Sequence, residues 1–216
     1  MVSKIKTKKW FLIYFLFIVI FLILCLIRIN KPLLSEQTYL AYLAKALASG
    51  GKPIINFEGY NLLESAGLVH PPLYIYFHAL SIKIFGYNLF GLKVVNIIFV
   101  ILTSLIIFLY LRKRCPNKEY IPLIAAALYL FNPLVIQSAL FLDIDGGILT
   151  FFTTLALFYF LEHKFEKPLV LSLLLLLVIF TKFTSFVILG FTFFIYFLFF
   201  EKKEVKNISK LFTIFL

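Results

Sequence analysis

The chain has 216 residues, 62% of them hydrophobic and 14% charged, with a mean hydropathy of +1.02 and a formal net charge of +11. A water-soluble domain is nearer half apolar and a quarter charged, so the composition excludes one and describes a polytopic membrane protein. The charge excludes a nucleic-acid surface as well. The basic residues sit in short clusters between apolar runs (KIKTKK at 4–9, RKRCPNK at 112–118, EKKEVK at 201–206) and do not converge on one stripe.

The first apolar run, Trp10 to Ile27, has 18 residues. It is longer than the core of a signal peptide and no small-residue cleavage site follows, so it reads as a retained anchor. Four basic residues before Trp10 place the N-terminus in the cytoplasm. Further spans are expected at 92–111, 121–142, 146–161, 168–181 and 184–200, making 1–216 one all-α transmembrane domain. Alternate crossings then put 28–91, 143–145 and 182–183 outside, and 112–120, 162–167 and 201–210 inside. Fourteen of the 21 basic residues fall on the cytoplasmic side, as the positive-inside rule requires of a multi-pass cell-membrane protein.

The stretch 169–200 holds 32 nearly continuous apolar residues, long for one span and short for two. Thr181, Lys182 and Thr184 mark a turn within it; one long tilted helix is the alternative. Cys25 lies in the first apolar run and Cys115 in a basic loop, a placement that offers no disulfide framework. Residues 211–216, LFTIFL, begin a new apolar run that covers only ~9 Å of a ~30 Å bilayer core. The expectation is that the chain is the first part of a longer protein.

The segment 28–91 carries most of the external polar groups. Glu36–Ala48 predicts a surface helix with Tyr39, Leu40, Leu43 and Leu47 on one face, and Glu36, Gln37 and Lys45 mostly off it. Ser35 or Glu36 would start that helix, and Ser49-Gly50-Gly51-Lys52-Pro53 would end it. A second surface helix is expected over Pro72–Phe85, with Pro71 and Pro72 in its first turn and Gly86 closing it. The external acids are Glu36, Glu58, Glu64, Asp143 and Asp145.

Several short motifs occur in a fixed order: Ser35-Glu36-Gln37-Thr38-Tyr39, His70-Pro71-Pro72-Leu73-Tyr74, Phe85-Gly86-Tyr87-Asn88, Asp145 in LDIDGGILTFF, and Thr181-Lys182 ending a leucine-rich run. In that order, and over essentially the whole chain, the sequence resembles the N-terminal half of polytopic glycosyltransferases of the GT-C type. It is similar in particular to the dolichyl-phosphate-mannose protein mannosyltransferase and undecaprenyl-linked aminoarabinose transferase families.

The resemblance implies a GT-C-like transmembrane bundle with extracytoplasmic surface helices. It also implies an inverting hexosyltransferase that moves a sugar from a polyprenyl-phosphate donor to a protein, lipid or glycan acceptor outside the membrane. Such chemistry needs a carboxylate to orient or deprotonate the acceptor, for which Glu36, Asp143 and Asp145 are candidates. It also needs groups that take up charge on the departing phosphate: Lys182, His70 and Tyr74 are the candidates. Asp143, Asp145 and Glu36 together suit a divalent cation, although the family leaves the metal open; capping the next helix is the other role for the two aspartates.

One departure matters. The family has aspartate where this chain has Ser35. Either Glu36 takes its role from one residue further along, or the enzyme is altered or inactive as this fragment, and Ser35 is a helix cap. The competing class is a non-catalytic polyprenyl-lipid-binding or transport protein. Transporters carry their charges at mid-bilayer, whereas these polar clusters lie at the rim.

Overall fold

A computed structural model describes residues 2–51, 56–57, 60–61, 73–143, 145–164 and 166–200. Among them, nine helices and one short β ladder appear: α1 Val2–Arg28, α2 Ser35–Ala48, β1 Asn56–Phe57, β2 Tyr60–Asn61, α3 Leu73–Phe85 and α4 Leu89–Arg114 come first. They are followed by α5 Tyr120–Leu130, α6 Pro133–Leu140, α7 Gly147–His163, α8 Pro168–Thr181 and α9 Phe183–Phe200. The fold is all-α apart from the ladder, which pairs Asn56 with Asn61 and Phe57 with Tyr60. That hairpin was not anticipated. Its sequence signal is the dipeptide Glu58-Gly59 between Phe57 and Tyr60, a glycine flanked by strand-favouring aromatic residues.

Each expected span corresponds to helix, with one correction. The run 121–142 is two helices, α5 and α6, bent by 56°. Asn132 and Pro133 cause the break: Pro133 supplies no backbone N–H to continue α5, while the Asn132 side chain caps α6 by accepting from Leu134 N at 2.9 Å. Among the described residues, Lys9–Arg28 and Leu89–Arg114 are the two helices long and apolar enough to cross a membrane, and the bent pair would be a third. Gly147–His163, Pro168–Thr181 and Phe183–Tyr196 are shorter apolar helices, so the six expected spans are met only in part. The turn expected near Thr181 is present. Lys182 is extended (φ −157°, ψ 116°) and separates α8 from α9.

α4 is the axis of the bundle, contacted by α1, α3, α5, α6 and α7, while α8 packs on α7 and α9 on α8. α1 and α4 run antiparallel: Tyr14 stacks on Phe108 with ring centroids 4.5 Å apart, and at the other end Lys93 reaches the carbonyl of Ile29. α7 approaches α4 very closely because Gly147 has no side chain. A Cβ there would lie 2.7 Å from the Asn96 carbonyl oxygen. Large apolar side chains such as Leu12, Ile27, Leu128 and Ile188 cover the outside of the bundle, as a lipid-facing surface requires.

The surface helices form largely as read. α2 packs against α3, and its buried stripe is Gln37, Leu40, Ala41 and Ala44, with Leu43 beside it. Gln37 therefore lies on the buried face, contrary to expectation, because the two alanines let that side of α2 approach most closely. Lys45 is off the face, with its ammonium 4.5 Å from the centroid of the Tyr87 ring. The N-cap is Leu34, so Ser35 is the first helical residue and not the cap. α3 starts at Leu73 and closes at Gly86, whose φ of +82° is the left-handed conformation that favours glycine.

Candidate functional site

The loop between α6 and α7 is short, and its backbone is folded by its own aspartate. The Asp143 carboxylate accepts from Asp145 N at 3.2 Å, and Gly146 N donates to the Asp143 carbonyl at 3.0 Å. Gly146 is the N-cap of α7 and no side chain caps that helix, so neither aspartate does so. Both carboxylates are exposed. From below, Asn96 of α4 fixes the loop by donating Nδ2 to the Phe141 carbonyl at 2.6 Å.

Lys182 reaches the same place from the break between α8 and α9. Its ammonium pairs with the Asp145 carboxylate, 37 residues away in sequence. The α8 helix ends there because Lys182 N bonds to Val178 O at 2.8 Å and the following backbone extends. Thus the fold joins a candidate acid to a candidate phosphate-binding cation in one ion pair.

Beneath the loop lies a buried polar cluster. Tyr74 is fully buried, and its hydroxyl faces the Asp143 backbone and the Asn96 amide without a hydrogen bond of regular geometry to either. Its ring lies 4.3 Å from that of His78. His78 donates Nδ1–H to the Leu92 carbonyl at 2.8 Å, which leaves Nε2 as an unpaired acceptor, and Asn96 Oδ1 is unpaired too. Burial pushes the His78 imidazole down to about 4, so it is neutral near pH 7, and burial pushes the Tyr74 hydroxyl up. These three buried polar atoms make no hydrogen bond of regular geometry among the described residues, although Tyr74 and His78 both lie against the Asn96 side chain.

The Glu36 backbone lies in the first turn of α2, while its side chain and all of His70 are outside the described residues. Among the described residues, no three His, Cys, Asp or Glu side chains gather to hold a metal; a cation held by Glu36 with the two aspartates depends on a side chain not described.

A family model for dolichyl-phosphate-mannose-protein mannosyltransferases matches residues 69–216. The chain belongs to this family. No match was found among curated proteins or solved structures. The mannosyltransferase-family match covers His70, Tyr74, Asp143, Asp145 and Lys182 and excludes Ser35 and Glu36, so it is shorter than the whole-chain resemblance. Membership assigns the chain broadly to the membrane glycosyltransferases.

Sequence reasoning missed three members of this end of the bundle. His78 falls within the expected surface helix Pro72–Phe85, and Lys93 and Asn96 within the expected span 92–111, with no motif to single them out. Asn and Lys inside an apolar run are costly in lipid, and that cost is the signal that marks them. Lys93 is buried, with its ammonium donating to the carbonyls of Ile29 at 2.8 Å and Lys31 at 2.6 Å.

Proposed function

We propose that the chain is an inverting hexosyltransferase that takes a sugar from a polyprenyl-phosphate donor and passes it to a hydroxyl-bearing acceptor. In this reading the acceptor is a protein, lipid or glycan, the reaction occurs at the extracytoplasmic face of the cell membrane, and the N-terminus is cytoplasmic. The pairing of Lys182 with Asp145 carries the proposal, because it sets a cation and a carboxylate together at one rim of the bundle. Family membership supports it.

In the free protein Asp145 neutralises Lys182. A donor phosphate competes for the ammonium and leaves the carboxylate free to face the acceptor. As the bond between the anomeric carbon and the phosphate oxygen breaks, charge grows on the departing phosphate and Lys182 takes it up. The acceptor oxygen forms the new bond from the opposite face, and its proton passes to a carboxylate. Glu36, Asp143 and Asp145 are the carboxylates proposed for that role, with His70 and Tyr74 beside the phosphate. Ser35, at the family's aspartate position, favours a second reading in which the chain binds the lipid donor without transferring its sugar.

Lys182→Met tests the role of the pair. The variant inserts normally and binds polyprenyl-phosphate donor at least ~10-fold more weakly, about 1.4 kcal/mol. Unchanged donor affinity leaves Lys182 as a turn residue and sinks the proposal.

A further inference from the structure

A second polar site lies where α1 ends. A cavity of about 510 Å³ opens between that end, the first turns of α4, and α6, with Arg28, Lys31, Lys93, Pro133, Gln137 and Phe141 in its wall. The chain builds it from helix-end chemistry. Arg28 is the basic residue in the last turn of α1, and the turn beyond is held by Lys31 N donating to the Arg28 carbonyl at 3.2 Å. Lys93 then binds two carbonyls of that turn, which uses two of the three donors of its ammonium.

Three cations thus line one cavity that has no acidic residue in its wall. The ion pairs among the described residues are Lys113–Glu162 and Lys182–Asp145, so no described carboxylate pairs with Arg28, Lys31 or Lys93. The α6 side of the wall is mostly apolar, with Ile136, Leu140 and Phe141. A cavity with cations on one side and hydrocarbon on the other, at the end of a membrane-spanning helix, suits an anionic group attached to an acyl chain.

We propose that this cavity binds a phosphate-bearing anion, supplied by the headgroup of an anionic bilayer lipid. Arg28 and Lys31 contact the phosphate, the third donor of Lys93 closes on it, and the lipid chain lies along Ile136 and Leu140. The site is separate from the Asp145–Lys182 pair and does not depend on sugar transfer. An occupied cavity joins the end of α1 to α6, and through Phe141 to the acidic loop that Asn96 holds.

The test is native mass spectrometry of the full chain in detergent with phosphatidylglycerol, phosphatidylcholine or inorganic phosphate added. Phosphatidylglycerol binds in preference to phosphatidylcholine. The double variant Arg28→Gln/Lys31→Gln, which changes two exposed side chains, weakens that binding roughly tenfold. Gln137→Trp, which fills the cavity and keeps its charges, weakens it too, whereas Lys182→Met leaves it unchanged. Protection against heat by inorganic phosphate, lost in the double variant, supports the anion site and assigns free phosphate as its source. Equal binding of the two lipids without phosphate protection, or lipid binding indifferent to both cavity variants, overturns the proposal.

Discussion

At one end of the bundle Lys113, in the last turn of α4, pairs with Glu162, in the last turn of α7; at the other, Lys182 pairs with Asp145. The chemistry of the two pairs is the same and their settings are not. Around Lys113 the charges serve helix ends. The Arg112 guanidinium lies 4.4 Å from the Phe11 ring centroid, and Arg114 donates to the Leu161 carbonyl at 3.2 Å. The Lys113 side chain is 68% exposed, against 31% for Lys182.

Around Lys182 the backbone is broken and the polar groups are left over. A break between two helices, an aspartate-folded loop and three unpaired buried atoms meet there. Stability alone favours the first arrangement, since its charges sit at the ends of regular helices. The second is the kind of local conflict that folds keep where chemistry is done.

The largest effect expected from the contrast is on stability. Tyr74→Ala removes a fully buried ring beneath the acidic loop and costs about 3–5 kcal/mol in denaturant unfolding. Tyr74→Phe separates packing from chemistry. It keeps the ring and deletes an unpaired hydroxyl, so the variant is as stable as the parent or more so. A marked loss of stability on Tyr74→Phe would mean that the hydroxyl is satisfied after all.

A smaller effect is expected from acid. The unfolded chain takes up a proton on His78 near pH 6.5, whereas the folded chain does so only near 4. Stability therefore falls as the pH is lowered from about 6.5 to about 4 and is insensitive to this group above that window. The melting midpoint of His78→Gln, followed from pH 7.5 to pH 4, lacks that part of the slope. An identical slope in parent and variant would remove His78 as its source.

At the opposite end the expected change is smallest. Lys113→Met costs about 0–1 kcal/mol in the same unfolding measurement, because an exposed pair gains little net energy. A loss of several kcal/mol would erase the distinction between the two ends.

Much of the frame was legible in the sequence because membrane segments obey simple rules. Apolar length located the helices, and Thr181-Lys182 disclosed the break between α8 and α9. The bend at Asn132-Pro133 was equally visible as a cap followed by a proline, yet the continuous hydropathy of 121–142 concealed it. Gln37 escaped because two alanines, rather than the larger side chains, define the close face of α2. For the site, Asp143, Asp145 and Lys182 were legible as charges at a rim. Their ion pair was not, since a contact across 37 residues depends on how α7 and α8 pack. Asn96 and His78 were hidden because their roles come from what they bond and leave unbonded, not from a motif.

The most direct test of the central claim sets the two carboxylates against each other in sugar transfer by the full chain from a polyprenyl-phosphate donor. Asp145→Asn and Glu162→Gln each remove one charge with little change of shape. The account predicts a loss of at least ~100-fold in turnover for Asp145→Asn and a change within about twofold for Glu162→Gln. Equal rates in the two variants, or a larger loss for Glu162→Gln, would contradict it.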